Sequence, residues 1–212
     1  MYPVFINLKK SAITLLLLAT SLLAACSYAP EKKTPTQNPQ QATAVEIEFR
    51  QALALMQAKN MQGAAEKFHD LIARYPQMTG AWANLGLIHM KAGEWEKALH
   101  SLQQAINLNP NHAPAYNYLG VVYRNLGQFQ KSEQAYKKAI DIDPGYAIVW
   151  LNLGILYDIY MNKPVQALPQ YEQYQHLNAN ADDKVKKWIV ELKRRIPKKT
   201  SSSNTTGGKH RG

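Results

Sequence analysis

The sequence predicts an all-α fold made of helix pairs stacked one on the next, and three observations predict it. The first is a recurring phrase: Trp82-x-x-Leu85-Gly86-x-x-His89, Tyr116-x-x-Leu119-Gly120-x-x-Tyr123 and Trp150-x-x-Leu153-Gly154-x-x-Tyr157, at a spacing of 34 residues. The second is a companion phrase in step with it, where Ala98, Leu102, Ala105 and Pro110 return as Ser132, Tyr136, Ala139 and Pro144. The third is residue chemistry. Small residues such as Gly86 and Ala98 let two helices approach closely, and Trp82 and Leu102 fill the space beside that contact. Pro110 and Pro144 cannot continue a helix, because proline lacks the amide donor and clashes with the preceding turn. A fixed period of this length marks a solenoid, in which each helix pair leaves one face bare and the next pair covers it.

These positions, in register over three repeats, resemble the tetratricopeptide repeat (TPR). The resemblance implies a right-handed α-α superhelix of about four helix-turn-helix repeats, closed by a C-terminal capping helix. It also implies that the recurring aromatics are packing residues and that the first helices line a concave, protein-binding face.

Taken in order, residues 1–25 read as an export signal. Lys9 and Lys10 form a basic start, and Ile13 to Ala25 is an apolar run of signal-peptide length, short for a spanning helix. The run ends in Leu23-Ala24-Ala25-Cys26, which resembles a bacterial lipobox and so implies cleavage before Cys26 and acylation of its sulfur and amine. The residues alone leave open an ordinary secretory peptide or an uncleaved anchor. Cys26 is the only cysteine, so no internal disulfide forms and stability rests on packing. Several acyl chains anchor stably, at roughly 0.8 kcal/mol per buried methylene. Ser27 stands where lipoproteins retained at the inner membrane commonly carry Asp, which points to the outer membrane, with the domain facing the periplasm.

Residues 26–43 hold the anchor and a linker with Pro30, Pro35 and Pro39, too polar to bury a core and expected to be disordered. Residues 44–196 form the repeat domain. Repeat 45–78 is degraded: Ala52, Ala64, Phe68 and Pro76 fit the pattern, Glu48 and Gln51 do not, and Ile47, Phe49, Leu53 and Met56 make its first helix amphipathic. A terminal repeat lacks a neighbour and is expected to be atypical. Repeats 79–112 and 113–146 are regular. Repeat 147–180 has one residue inserted before Ala167, Tyr171 in the bulky position and Tyr174 in a small one. Pro164 suits a first helical turn; Pro169 is expected to kink or delay the helix. Asp182-Asp183 can cap a last helix, 182–196, with Val185, Trp188, Ile189 and Leu192 as its buried stripe. No apolar side chain follows Pro197, and residues 197–212 read as a disordered basic tail.

The formal charge of +10 is concentrated. Residues 181–212 carry ten Lys/Arg and three acids, while 26–180 carry thirteen and twelve. Lys184, Lys187, Arg194 and Arg195 are candidates for contact with an anionic surface such as lipid head groups or peptidoglycan, although such a face is usually just solvated. A nucleic-acid partner is not expected, since no base-stacking motif accompanies the charge. Nor is catalysis. There is no His-Glu-x-x-His, no Gly-x-Ser-x-Gly and no phosphate loop, and the six histidines show no metal-ligand spacing on one helix. No cofactor or metal is expected.

The resemblance places the groove at set positions of each first helix. They hold Asn84, Tyr118 and Asn152; Leu87, Val121 and Ile155; and Met90 and Arg124, with Asn117 beside Tyr118. The asparagines can donate to and accept from an extended peptide, over an apolar floor. Only Arg50 and Arg124 supply groove cations, so the carboxylate clamp of some TPR domains is not expected. The layout resembles pilotin-type lipoproteins of pilus and secretin assembly and lipoprotein adaptors of peptidoglycan hydrolases. The expected function is a lipid-anchored periplasmic adaptor for envelope proteins; the alternative is a cell-wall-binding or anionic-surface-binding lipoprotein acting through its basic end.

Overall fold

The computed structural model describes residues 39–178 and 183–197, with side chains from Thr43 onward. The signal peptide, Cys26, the capping role of Asp182 and the basic tail fall outside them. The described helices are α1 (Pro39–Gln57), α2 (Met61–Arg74), α3 (Thr79–Lys91), α4 (Trp95–Leu108), α5 (Ala113–Asn125), α6 (Phe129–Ile142), α7 (Ala147–Ile155), α8 (Pro164–Leu177) and α9 (Asp183–Arg195). Helix α7 runs on into a π-helical turn, Leu156–Tyr160. No strand occurs among the described residues. The linker expected through residue 43 yields to α1 from Pro39, because proline is pre-set for a first helical position and good helix formers follow it.

Each pair closes on the same backbone device. Gly93 (φ +75°) and Gly127 (φ +72°) take the left-handed conformation that ends a helix without a Cβ penalty. Glu94 N–H then bonds the His89 carbonyl at 2.9 Å and Gly93 N–H the Met90 carbonyl at 3.2 Å; Gln128 to Tyr123 and Gly127 to Arg124 repeat this at 2.8 and 3.1 Å. Lys59 (φ +61°) and Asn162 (φ +49°) do the same duty in the outer pairs without being glycine. Asn162 comes one residue late, and the matching bond from Lys163 N–H reaches back to the Tyr157 carbonyl (2.7 Å), one residue further than in the regular pairs. The inserted residue expected before Ala167 is therefore taken up as a π-turn, the way a helix accommodates a single extra residue.

Helices α3 with α4, α5 with α6, and α7 with α8 pack as pairs, and each pair then packs on the next. The core follows as three clusters along the array. Close approach at the centre of these three pairs demands glycine. A methyl on Gly86 would lie 2.6 Å from Leu102, one on Gly154 2.6 Å from Tyr171, and one on Gly120 inside the Tyr136 ring. Ser132, buried in a small-residue position, donates to the Gly120 carbonyl at 2.7 Å. The aromatics of the first phrase are half-buried and bridge neighbouring repeats: the Trp82 indole donates to the Pro76 carbonyl and the Trp150 indole to the Pro144 carbonyl, each at 2.9 Å.

In the degraded first repeat, Glu48 stands at the aromatic position and pairs with Arg74 of α2 in place of an indole-to-carbonyl bond. Within α1, Val45 is buried and Ile47, expected on the apolar stripe, is 51% exposed. Pro169 neither breaks nor delays α8. Both it and Val165, whose carbonyl loses a donor to the proline, lie on the exposed face, where water can serve that carbonyl.

Candidate peptide-binding groove

The groove residues lie on the first helices of successive pairs. Asn84, Tyr118, Asn152, Leu87, Val121, Ile155, Met90 and Arg124 are all half-buried, as lining residues of an open face would be. Met90 and Tyr118 rest on the middle core cluster, Val121 and Ile155 on the last, so the floor is fixed from beneath.

The polar groups are less independent than the sequence suggested. Asn84 donates to the carbonyl of Gly80 at 2.8 Å on its own helix. Asn117, expected to meet a ligand, is buried at 4% exposure. Its Oδ1 accepts from Asn152 Nδ2 at 2.9 Å across the seam between α5 and α7. The Tyr146 hydroxyl is bonded to Asn117 and Tyr118, and burial raises the pKa of both phenols. Asn117 therefore anchors a network that sets Asn152 and Tyr118 in place; those two present the polar surface. Sequence periodicity could not tell these roles apart, because a residue one position off the groove face lies under the next helix.

The two groove cations are also engaged. Arg50 pairs with Glu46 at 2.5 Å. The guanidinium of Arg124 lies 5.2 Å from the ring centre of Tyr160, on the π-turn, and its Nε and Nη1 are shielded from solvent with no protein partner. Tyr160 packs 5.7 Å from Phe129, so the π-turn forms a wall at that end of α5. The same turn exposes Ile159 at 68%.

The basic helix α9 divides. Arg195, expected to meet an anionic surface, binds Asp158 of the π-turn at 3.0 Å, and the carboxylate is only 9% exposed. Lys193 pairs with Glu172 at 2.7 Å, and Lys184 Nζ lies 5.3 Å from the Trp188 ring centre. Lys187 and Arg194 border Val190 on the outer face, and Val190 is 49% exposed.

One feature had no signal in motif spacing. Three helices bring His69, His89 and His100 to a single cleft beside Trp82. A position-by-position comparison between repeats would have found it, since these three imidazoles have no counterpart one period on.

The tetratricopeptide-repeat family profile matches residues 49–99 and 83–147. The matched span, residues 49–147, resembles the tetratricopeptide repeat, and the fold is a TPR-like solenoid. Among solved structures it is similar to MamA at 25% identity, with a TM-score of 0.58 over 65% of this chain and 80% of that one. It is similar to PilF of Pseudomonas aeruginosa at 21% identity and a TM-score of 0.66, over 73% and 69% of the two chains. It is also similar to a thermophilic TPR protein of Thermus thermophilus, TTC0263, at 23% identity and a TM-score of 0.61, over 73% and 84%. The last two likenesses concern fold. No curated protein matches the sequence. The TPR solenoid is a scaffold for protein–protein interaction, and protein partners follow from it.

Proposed function

We propose that this TPR solenoid is a lipid-anchored periplasmic adaptor that docks a segment of an envelope protein along its first helices. The observation that carries the docking is the continuous half-buried row of Asn84, Tyr118 and Asn152 over Leu87, Val121 and Ile155. It offers amide groups to a peptide backbone and an apolar floor to its side chains. The anchoring half of the reading rests on the lipobox-like run that ends at Cys26. Lipid on Cys26 holds the protein to the outer membrane, and the proline-rich linker gives the domain reach.

The test is a crosslinking pull-down of the full chain from detergent-solubilised envelope. Leu87→Glu with Val121→Glu, and separately Asn152→Ala, should lose the partners recovered by the unaltered protein. Recovery of the same partners by both variants would rule the groove out. Cys26→Ala should release the chain to the soluble fraction, and persistence in the membrane would refute the anchor.

A second reading is favoured by Lys187 and Arg194 beside exposed Val190: contact of α9 with an anionic surface such as peptidoglycan or lipid. Binding to purified sacculi or anionic vesicles that survives Lys187→Glu with Arg194→Glu would end it.

A further inference from the structure

A cleft of about 630 Å³ lies outside the groove, between α2, α3 and α4. His69, Trp82, Leu85, His89, Lys97 and His100 line it. The next seam supplies an internal control. Its cleft, of about 360 Å³, presents Gln103, Tyr116, Leu119, Tyr123, Lys131 and Gln134 at the same six positions. Leucine and lysine recur, as does an aromatic at the Trp82 position, so packing accounts for those. A ring recurs at the His89 position as Tyr123, whereas His69 and His100 give way to Gln103 and Gln134, so helix packing does not require those two imidazoles, nor an imidazole in place of another ring at 89.

Within the cleft the rings of His69 and His89 meet edge to face with centres 6.2 Å apart. Two imidazole nitrogens held at about 2.0–2.1 Å from one ion place their ring centres roughly 5–6 Å apart. His69 is exposed. His89 is held: its side chain is 12% exposed and its Nδ1 lies 2.5 Å from a Glu94 carboxylate oxygen. Glu94 also takes Lys97 Nζ at 3.1 Å, so its carboxylate is the acceptor that faces His89. With an acceptor against Nδ1, that nitrogen is the donor in the bond and Nε2 is the ring nitrogen left for a ligand. A carboxylate behind an imidazole is the arrangement that orients a metal-binding histidine and fixes its tautomer.

We propose that His69 and His89 form a two-imidazole site for an exchangeable divalent transition-metal ion, with Glu94 as the positioning residue. Imidazole ligands suit copper, nickel and zinc, and Cu²⁺ binds a given nitrogen site more tightly than Ni²⁺ or Zn²⁺. Among the described residues no group of three His, Cys, Asp or Glu side chains converges on one point. Water completes the coordination, and the ion remains exchangeable. His100, 6.0 Å from Trp82 between ring centres, stands at the rim.

The experiment is calorimetric titration of the purified full chain with Cu²⁺ and with Zn²⁺. His69→Gln and His89→Gln should each remove one equivalent, and His176→Gln should remove none. Glu94→Gln should retain that equivalent but weaken it by about 10–100-fold. An unchanged equivalent in His69→Gln or His89→Gln overturns the proposal. If either variant fails to fold, the imidazole nitrogen resonances of the unaltered protein decide. Zn²⁺ should shift Nε2 of His89 and a ring nitrogen of His69 while leaving His112 in place, and no shift at His69 and His89 overturns the proposal equally.

Discussion

Helix pairs α3–α4 and α5–α6 solve a packing problem that pair α7–α8 solves again with one residue more. All three press a glycine of the first helix against a bulky side chain of the second: Gly86 on Leu102, Gly120 on Tyr136, Gly154 on Tyr171. The seam with the preceding repeat also keeps its geometry, since the Trp150 indole reaches Pro144 as the Trp82 indole reaches Pro76. The extra residue appears only beyond Tyr157, in the π-turn at the far end of the helix. An insertion is least disruptive where side chains no longer interlock, and there it produces new surface. In this protein that surface is the Tyr160 wall over Arg124, the exposed Ile159, and Asp158 as the acceptor for Arg195 of α9.

The comparison can be broken most sharply at the glycines. Gly120→Ala drives a methyl into the Tyr136 ring and should cost about 3 kcal/mol, read from urea unfolding followed by circular dichroism. Gly154→Ala should cost a similar amount. A much milder effect there would show that the fourth pair is loosely packed, not merely longer. Next is the link from the π-turn to α9. Asp158→Ala removes a charge-assisted bond to Arg195 and should cost about 1–2 kcal/mol. Faster amide exchange confined to α9 would confirm its local role, and equal acceleration in α5 would not.

A smaller effect concerns the start of α5. His112 caps it by accepting from Ala115 N–H at 3.1 Å on Nδ1, and burial lowers the imidazole below its ordinary value of 6.5. The folded state therefore binds its proton less readily than the unfolded chain. The contribution is present above pH 6.5 and is lost as pH falls through the depressed folded value. Melting temperatures at pH 8 and pH 5 should differ less in His112→Asn, which caps without titrating. Smallest is the turn series. Lys59→Gly should gain about 0.5–1 kcal/mol and Gly93→Ala lose about 1 kcal/mol, because Lys59 and Gly93 both sit at positive φ. Asn162→Gly should gain less than Lys59→Gly, since asparagine tolerates that conformation.

The repeats were legible because a solenoid writes its packing in a fixed period. Gly86, Leu102 and their equivalents could be paired from the sequence, since each contact is local and repeated. The groove was legible only in part. Its positions follow from the same period, but Asn117 and Asn152 differ in role through a contact that spans the seam between α5 and α7. The basic helix could be placed, but the sequence did not reveal that Arg195 is taken by Asp158. Pro169 looked disruptive because its neighbours' exposure, which decides whether water can replace the missing bond, is not a local property.

By itself, then, the sequence determined the helix pairs, their order and the faces they bury, because the 34-residue period sets which small and bulky residues must meet. The tertiary structure alone decided which polar groups remain available once helices stack, where the inserted residue in the fourth repeat goes, and that His69, His89 and His100 share one cleft. Those outcomes depend on contacts between elements whose spacing in the chain carries no periodic signal, so only the packed solenoid brings them together.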